Sequence, residues 1–230
     1  MFERDIISQL AAWKTDTNRK PLVVHGARQV GKTWTLKYFG REYFDDVAYF
    51  SLDKDESGLC DVFRTTKDPQ RIIQHLSFLH GKKIEPQTTL LILDEIQECN
   101  EALNALKYFC EEAPEYAVAC AGSLLGIYLN HVGKSFPVGK VNHLYMYPLT
   151  FTEFLRTKDP VMHEYMHSID KVEPLPQIFF DKLRESFTAY SICGGMPEPA
   201  TLMVDFNDME RVDSALQDIL NDYALDFVKH

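Results

Sequence analysis

The stretch from Pro21 to Gly40 restricts the possible folds more than any other part of the sequence. It begins with a short apolar run, "PLVVH" (21–25), which is typical of a buried β-strand. The loop "GARQVGKT" (26–33) follows and matches G-x-x-x-x-G-K-T, and "KTWTLKYF" (32–39) then predicts a helix that ends at Gly40. In such a strand–loop–helix, backbone N–H groups converge on an anion at the positive end of the helix. The sequence therefore predicts a phosphate-binding loop rather than an ordinary glycine-rich turn.

Further apolar runs alternate with helical patterns after this loop. Four of them are predicted strands, namely "VAYFSLD" (47–53), "TTLLILD" (88–94), "YAVACAG" (116–122) and "VNHLYMY" (141–147). Alternation of this kind is typical of a parallel sheet that helices cover on both faces. The sequence therefore predicts an α/β fold of the P-loop NTPase type, three-layer α/β/α, with a mostly parallel five-stranded sheet and a helical C-terminal appendage.

Helical patterns precede and follow the predicted strands. A first helix is predicted from apolar residues at spacings of three and four, which are Phe2, Ile6, Leu10 and Trp13. Asp68, followed by proline, predicts the N-cap of another helix. Beyond Pro148 the strand signals fade and the remaining stretches have helical patterns. We therefore expect a P-loop core at 1–150 and, at 151–230, a helical lid or the start of a truncated C-terminal region.

The composition argues against several classes of protein. The formal net charge is −10, from 24 basic and 34 acidic residues, so a nucleic acid partner is not indicated for this domain. No apolar run approaches the roughly 20 residues that span a bilayer, so no membrane role is expected. The cysteines are odd in number and form no C-x-x-C pair, which favours a reduced, cytoplasmic protein; they are Cys60, Cys99, Cys110, Cys120 and Cys193.

A second chemical motif is "LLILDEIQ" (90–97). Its apolar residues carry the chain through the sheet and place Asp94 at the carboxyl end of a strand, where open α/β sheets bind ligands. We expect Asp94 to hold Mg²⁺ and the adjacent Glu95 to activate a water molecule that attacks a γ-phosphate. Two adjacent carboxylates repel each other without a cation, which argues against a merely solvated acidic turn.

These residues predict a Mg-ATP-binding P-loop ATPase that hydrolyses ATP to ADP and phosphate. The hydrolysis would drive a conformational change in a partner or in a missing C-terminal domain. A phosphotransferase is disfavoured by Glu95, because small-molecule kinases generally lack that catalytic glutamate. The alternative from another class is an ATP-dependent switch or interaction module with negligible turnover.

The chain resembles a family of prokaryotic AAA-type P-loop ATPases, of the AAA+ superfamily. The resemblance spans residues 20–199 in the order of that family and rests on "KPLVVHGARQVGKT", "LLILDEIQ", "ALKYFCE", "CAGSLLG", "SFPVGKV", "YPLTFTEF" and "CGGMPEP". Members usually carry a C-terminal domain of unknown function after the ATPase core. The resemblance implies ATP hydrolysis and an ATPase core followed by the start of that region, in either a truncated chain or a shortened member.

The motifs assign roles to individual residues. Lys32 is expected to reach the β- and γ-phosphates, and the Thr33 hydroxyl to bind Mg²⁺ together with Asp94. The resemblance implies that Ser123, after the fourth predicted strand, senses the γ-phosphate, although a serine there is ordinarily a helix cap. The expected catalytic residues are thus Lys32, Glu95 and Ser123, and the expected ATP-binding residues are Gly26, Ala27, Arg28, Gln29, Val30, Gly31, Lys32, Thr33 and Trp34.

A departure from the family concerns its arginine. The family commonly shows Gly-Arg where this chain has Gly139 followed by Lys140, and lysine lacks the planar fork that arginine offers to phosphate oxygens. Arg28, inside the loop, is another source of positive charge. We therefore expect slow turnover by the chain alone and self-association or a protein partner that supplies an arginine. Candidates in this chain to act across such an interface are Arg64, Arg71 and Arg156.

The segment "HEYMH" (163–167) matches the zinc-protease pattern H-E-x-x-H. In that pattern two histidines one helical turn apart bind zinc and the glutamate acts as a base, and Glu185 would be the proposed third ligand. The match is short and lies outside the predicted sheet. We therefore expect a solvated helix face and no bound zinc.

Overall fold

The computed structural model describes residues 2–53, 58–123 and 137–229, and the chain divides into two compact units. The first, which we call the sheet unit, consists of Ile6–Ala27 and Gly31–Met146. The second, which we call the helical unit, consists of Met1–Asp5, Arg28–Val30 and Tyr147–His230. The central residues of the predicted phosphate loop thus belong to the helical unit. The domain boundary expected near position 150 stays a prediction.

A parallel five-stranded sheet forms the sheet unit. Its strands are β1 (Leu22–His25), β2 (Asp46–Ser51), β3 (Thr89–Asp94), β4 (Ala117–Ala121) and β5 (Asn142–Tyr145). They lie in the order β2-β3-β4-β1-β5, and every described pairing is parallel. Every residue of β3 and β4 is buried, as expected when helices cover both faces of a parallel sheet. The predicted three-layer α/β/α fold is confirmed.

One helix precedes these strands, and others connect them. They are α1 (Ile6–Thr15), α2 (Lys32–Tyr43), α3 (Leu59–Thr65), α4 (Pro69–His80) and α5 (Asn100–Glu112). Helix α4 begins as predicted, because the Asp68 carboxylate caps it by accepting a hydrogen bond of 2.9 Å from the Gln70 N–H. Helix α3 was not predicted, since its seven residues are too few to show a clear helical period. Helix α2 continues through Gly40 to Tyr43, so the predicted end at Gly40 is wrong. The glycine instead packs closely on Val47, because a Cβ would lie 2.6 Å from a Val47 methyl carbon.

Apolar side chains from the strands and from these helices form one core in the sheet unit. Strand β3 contributes Leu91 and Leu93, and β4 contributes Val118 and Cys120. The helices contribute larger side chains, among them Ile72, Leu76, Leu103, Leu106 and Phe109. Close packing of this kind holds the strand ends in fixed positions, so polar residues at those ends are presented on a rigid support.

The helical unit contains α6 (Phe151–Lys158), α7 (Pro160–His167), α8 (Gln177–Cys193), α9 (Pro197–Phe206) and α10 (Met209–Lys229). Its core includes Leu149, Phe154, Cys193 and Met203. Phe2, predicted on a face of the first helix, instead precedes α1 and belongs to this core, where it stacks on Phe154 with ring centroids 6.2 Å apart. Among the described residues, none of the helices is both long enough and apolar enough to span a bilayer.

Gly195 closes the connection between α8 and α9. Its φ is +72°, and a Cβ at this position would lie 2.6 Å from the Leu149 carbonyl oxygen. The Gly195 carbonyl in turn accepts a hydrogen bond of 2.7 Å from the Leu149 N–H. Only glycine allows both the left-handed backbone and this close approach, which explains the residue in "CGGMPEP".

Candidate functional site

The loop at 26–33 contains three residues with a positive φ. Gly26, Gln29 and Gly31 have positive φ values of 155°, 64° and 94°. Gly31 is the N-cap of α2, and no described side chain caps the helix there. The first N–H groups of α2 are therefore not satisfied by a capping side chain, and they lie at the positive end of the helix dipole. This geometry suits a phosphate group.

Lys32 folds back over the loop. Its side-chain ammonium donates hydrogen bonds to the carbonyl oxygens of Gly26, at 3.0 Å, and Ala27, at 2.8 Å. The residue is only 7% exposed, so its charge is held in a partly dehydrated position beside the loop. An ammonium in this place supplies the positive charge that a bound polyphosphate requires.

Asp94 lies at the end of β3 and contacts two hydroxyl groups. The Thr33 hydroxyl donates a hydrogen bond of 2.7 Å to Asp94 Oδ2, and the Tyr49 hydroxyl donates one of 3.0 Å to the same oxygen. Asp94 is 4% exposed. The fold therefore brings together the two residues that the sequence predicted as Mg²⁺ ligands. Hydroxyl and carboxylate oxygens are the donors that Mg²⁺ prefers, so these residues fit that ion.

Tyr49, on β2, is a residue of this site that the sequence did not reveal. Burial and the negative charge of Asp94 raise the pKa of Tyr49 to about 12. The phenol therefore stays protonated at neutral pH and remains a hydrogen-bond donor to Asp94. A tyrosine within an apolar strand looks like an ordinary sheet residue, so no signal in the sequence marks its role.

Glu95 follows Asp94 in a left-handed conformation, with φ 50° and ψ 47°. Its Oε2 accepts hydrogen bonds of 2.5 Å from the Gln97 amide and 3.2 Å from the Ser123 hydroxyl. Ser123 follows β4 and is 6% exposed. The fold thus places the predicted sensor beside the predicted base, on the carboxyl-end edge of neighbouring strands. The Glu95 backbone is strained for a non-glycine residue, as is common at functional sites.

Trp34, the last residue expected to contact the nucleotide, lies on the first turn of α2. It is 41% exposed and stacks on Tyr38, with ring centroids 5.2 Å apart. Its contact with a nucleotide stays a prediction.

The central loop residues have contacts that the sequence did not reveal. The Arg28 carbonyl accepts a hydrogen bond of 2.8 Å from the Tyr223 hydroxyl, and the Gln29 amide donates one of 2.7 Å to the Asp222 carboxylate. The Val30 carbonyl accepts one of 2.9 Å from Arg4. All of these partners belong to the helical unit. They are separated from the loop by at least 26 positions in sequence, so no local pattern indicates them.

The candidate arginines and Lys140 form ion pairs with nearby carboxylates. Lys140 pairs with Glu111 at 2.8 Å, and this hydrogen bond raises the pKa of Lys140. The remaining pairs are Arg64 with Asp61 at 2.9 Å, Arg71 with Asp68 at 3.6 Å and Arg156 with Asp5 at 2.7 Å. Each candidate must leave or share a carboxylate before it acts on a phosphate elsewhere.

The histidines of "HEYMH" lie on α7. The rings of His163 and His167 contact each other edge to face, with centroids 4.4 Å apart. Within the part of the chain that the structure describes, no group of three or more histidine, cysteine, aspartate or glutamate residues is arranged to hold a metal ion. The expected lack of zinc stays a prediction.

The parallel sheet, the glycine loop at the start of α2 and the acidic end of β3 define a P-loop nucleotide-binding fold. The sequence profile of the AAA domain matches residues 18–155, and the chain therefore belongs to the AAA domain family. No curated protein is a significant match to the chain.

Solved structures also match the chain, at low sequence identity. The chain is 13% identical to PCH-2 of C. elegans, with 92% of the chain and 68% of that protein covered and a TM-score of 0.45. It is 16% identical to AMPPCP-bound DnaA from Aquifex aeolicus, with 88% of the chain and 63% of DnaA covered and a TM-score of 0.40. It is 13% identical to a chain of Drosophila ORC bound to DNA, with 93% of the chain and 66% of the ORC chain covered and a TM-score of 0.48. The chain thus spans about two thirds of the length of these proteins.

Proposed function

We propose that the chain binds Mg-ATP at the loop 26–33 and hydrolyses it to ADP and phosphate. The observation that carries this proposal is the 2.7 Å hydrogen bond between Thr33, directly after Lys32, and Asp94. It joins the loop to the acidic strand end, so the phosphate-binding and Mg²⁺-binding groups form one site. Membership of the AAA domain family supports the same activity.

The residues of this site have distinct roles in the proposed reaction. The backbone N–H groups of the loop and the Lys32 ammonium bind the phosphates, while Thr33 and Asp94 would hold Mg²⁺. When bound, Mg²⁺ supplies charge neutralisation at the phosphate oxygens. Trp34 lies where α2 begins and is proposed to contact the nucleotide beside the loop.

Glu95 is proposed to orient the attacking water and accept its proton. The water oxygen forms a bond to the γ-phosphorus as the bond to the β–γ bridging oxygen breaks, and the electron pair of that bond leaves with ADP. Ser123 and Gln97 both donate to Glu95 Oε2, so they fix the rotation of this carboxylate. Ser123 is therefore proposed to respond to the γ-phosphate through Glu95.

We further propose that the isolated chain turns over slowly and that a second copy or another protein completes the site. P-loop proteins without an arginine on the γ-phosphate turn over at about 10⁻⁴ to 10⁻² per second. The candidate arginines of this chain are paired with carboxylates, as is Lys140. Specific activity is therefore expected to rise with protein concentration or on addition of the partner. The same pairing favours the alternative function, an ATP-dependent switch with negligible turnover.

Phosphate release and nucleotide affinity, measured for the parent and for Glu95→Gln, test this proposal. For a hydrolase, the variant keeps its affinity for Mg-ATP and loses most of the parent's turnover. Equal phosphate release by the parent and Glu95→Gln removes Glu95 from the mechanism. Tight binding with no release above background at any protein concentration identifies the switch instead.

A further inference from the structure

The carbonyl groups of Arg28 and Val30 point at side chains from the two ends of the chain. The hydroxyl of Tyr223, on α10, donates to the Arg28 carbonyl, and the guanidinium of Arg4 donates to the Val30 carbonyl. Between them, Gln29 has a φ of 64°, which a non-glycine residue adopts only when its surroundings hold it there. The loop centre is therefore held by contacts rather than by the intrinsic preference of its residues.

These two hydrogen bonds also fix where the loop N–H groups point. In a planar trans peptide, the carbonyl of one residue and the N–H of the next point in opposite directions. A bond to the Arg28 carbonyl thus sets the direction of the Gln29 N–H, and a bond to the Val30 carbonyl sets that of the Gly31 N–H. Backbone N–H groups of this kind are the groups with which a phosphate loop binds an anion.

The two anchors differ in burial. Arg4 is 6% exposed, forms an ion pair of 3.1 Å with Glu153 and also donates to the Tyr147 carbonyl at 2.6 Å. Tyr223 is only partly buried and lies on the last helix of the structure. Arg4 is therefore the more buried of the two supports, and Tyr223 is the more accessible to solvent.

Asp222 adds a charge at the same place. Its carboxylate accepts a hydrogen bond of 2.7 Å from the side chain of Gln29, and both residues are exposed. A polyphosphate bound at the loop brings several negative charges close to this carboxylate, and like charges repel. Nucleotide binding and the contact of Asp222 with the loop therefore oppose each other.

The geometry points to Arg4 and Tyr223 as positioning residues for the nucleotide, and to Asp222 as a carboxylate that lowers nucleotide affinity. This inference rests on the proposed function, since it names residues that tune the same site. Two residues near the end of α10 are therefore proposed to affect the loop in different ways. Tyr223 orients the loop for binding, and Asp222 makes the contact sensitive to whether phosphate is bound.

Two substitutions separate these effects. Tyr223→Phe removes only the hydroxyl donor, so it is expected to raise the Kd for Mg-ATP about 2- to 10-fold and to speed amide hydrogen exchange in the loop. Asp222→Asn keeps an oxygen that accepts from Gln29 and removes the charge. It is expected to tighten Mg-ATP binding several-fold at low salt, and the gain should fade at high salt because salt screens exposed charges.

The chain offers matched controls for both substitutions. The Tyr190 hydroxyl donates to the Leu149 carbonyl at 2.8 Å, the same kind of bond at the same length as that of Tyr223. Tyr190→Phe therefore controls for the loss of a tyrosine–carbonyl bond elsewhere in the helical unit. Asp213 is exposed on an earlier turn of α10, so Asp213→Asn controls for the change in net charge.

The test combines amide hydrogen exchange of residues 26–33 in the ligand-free protein with affinities for Mg-ATP at two salt concentrations. Faster loop exchange and weaker binding in Tyr223→Phe but not in Tyr190→Phe, with tighter low-salt binding in Asp222→Asn but not in Asp213→Asn, support the inference. Loop exchange in Tyr223→Phe equal to that of Tyr190→Phe overturns it, whatever the affinities. A parent that binds no nucleotide contradicts the proposed function and the affinity part of this inference, while loop exchange still reports separately on the anchors.

Discussion

The polar side chains of the sheet unit and those of the helical unit make different kinds of interaction. In the sheet unit, Lys32, Thr33 and Asp94 take part in hydrogen bonds of 2.7–3.0 Å, and each has an atom that a phosphate or a cation can bind. In the helical unit, the Arg4 guanidinium forms an ion pair with Glu153 and donates hydrogen bonds to two backbone carbonyls. We therefore expect these polar groups of the sheet unit to bind the ligand, and Arg4 to stabilise the backbone of the helical unit.

This difference predicts that loss of the buried Arg4 ion pair or of the close approach at Gly195 lowers stability, whereas substitutions at the strand ends lower ligand affinity. Arg4→Met gives the largest expected effect, because it leaves the buried Glu153 carboxylate without its cation. The free energy of unfolding should fall by about 3–5 kcal/mol, measured by urea denaturation. The double variant Arg4→Met/Glu153→Met should recover only part of the loss, because the Glu153 carboxylate also accepts hydrogen bonds of 2.8 Å from the N–H groups of Asp5 and Thr150. A single variant as stable as the parent would show that this ion pair does not support the helical unit.

Gly195→Ala is the next largest effect. The added Cβ would meet the Leu149 carbonyl oxygen at 2.6 Å, and the left-handed φ of +72° adds strain. The free energy of unfolding should fall by roughly 2–3 kcal/mol. Gly194→Ala is the matched control, since its φ is +67° but nothing described lies within 4 Å of its Cβ, so about 1 kcal/mol is expected. Equal losses in the two variants would mean that the close approach is not what requires glycine.

Asp94→Asn tests whether a substitution at a strand end of the sheet unit lowers ligand affinity rather than stability. The asparagine keeps an oxygen for Thr33 and loses the charge, so stability should change little. The affinity for ATP in Mg²⁺ should fall by about tenfold or more, whereas the affinity in EDTA should stay near that of the parent. Titrations of fluorescent nucleotide with and without Mg²⁺ measure both values. An unchanged ratio between them would exclude Asp94 from the cation site.

Tyr49→Phe gives the smallest expected effect. It removes one of the two hydroxyl donors to Asp94 Oδ2 and leaves the donor from Thr33. The affinity for Mg-ATP should fall by about 2- to 10-fold, the usual worth of one hydrogen bond. Tyr116→Phe, a tyrosine of the same unit whose hydroxyl contacts Gln70, is the control. If both variants bind alike, the Tyr49 hydroxyl contributes nothing to the site.

The same comparison explains how far the sequence predicts the structure. The groups of the sheet unit lie within short motifs, 26–33 and 94–95, in which spacing and chemistry are visible together, so the P-loop fold and the meeting of Thr33 with Asp94 were predictable. Their functional roles stay predictions. The helical unit depends on pairs far apart in sequence, such as Arg4 with Glu153, and a single sequence carries no signal for them.

Local patterns also failed where long-range packing competed with them. Phe2 continues the helical spacing of Ile6 and Leu10, yet it packs on Phe154 instead, because residues before α1 belong to the helical unit. Tyr49 was missed for a related reason, since its partner Asp94 lies 45 positions away on another strand. Propensity predicts which elements form, but tertiary contacts decide where each one ends.

The most direct test of the account is a calorimetric titration of Mg-ATP into the parent protein and into Lys32→Ala. The account predicts saturable binding of one nucleotide per chain to the parent, and an affinity about 10- to 100-fold weaker in the variant, because a charged hydrogen-bond donor to the phosphates is lost. As a second measure of the same binding, Mg-ATP at about a hundred times its Kd should raise the free energy of unfolding of the parent by about 2.7 kcal/mol. A parent that gives no binding signal, or a Lys32→Ala variant that binds as tightly as the parent, would contradict the claim that this loop is the nucleotide site.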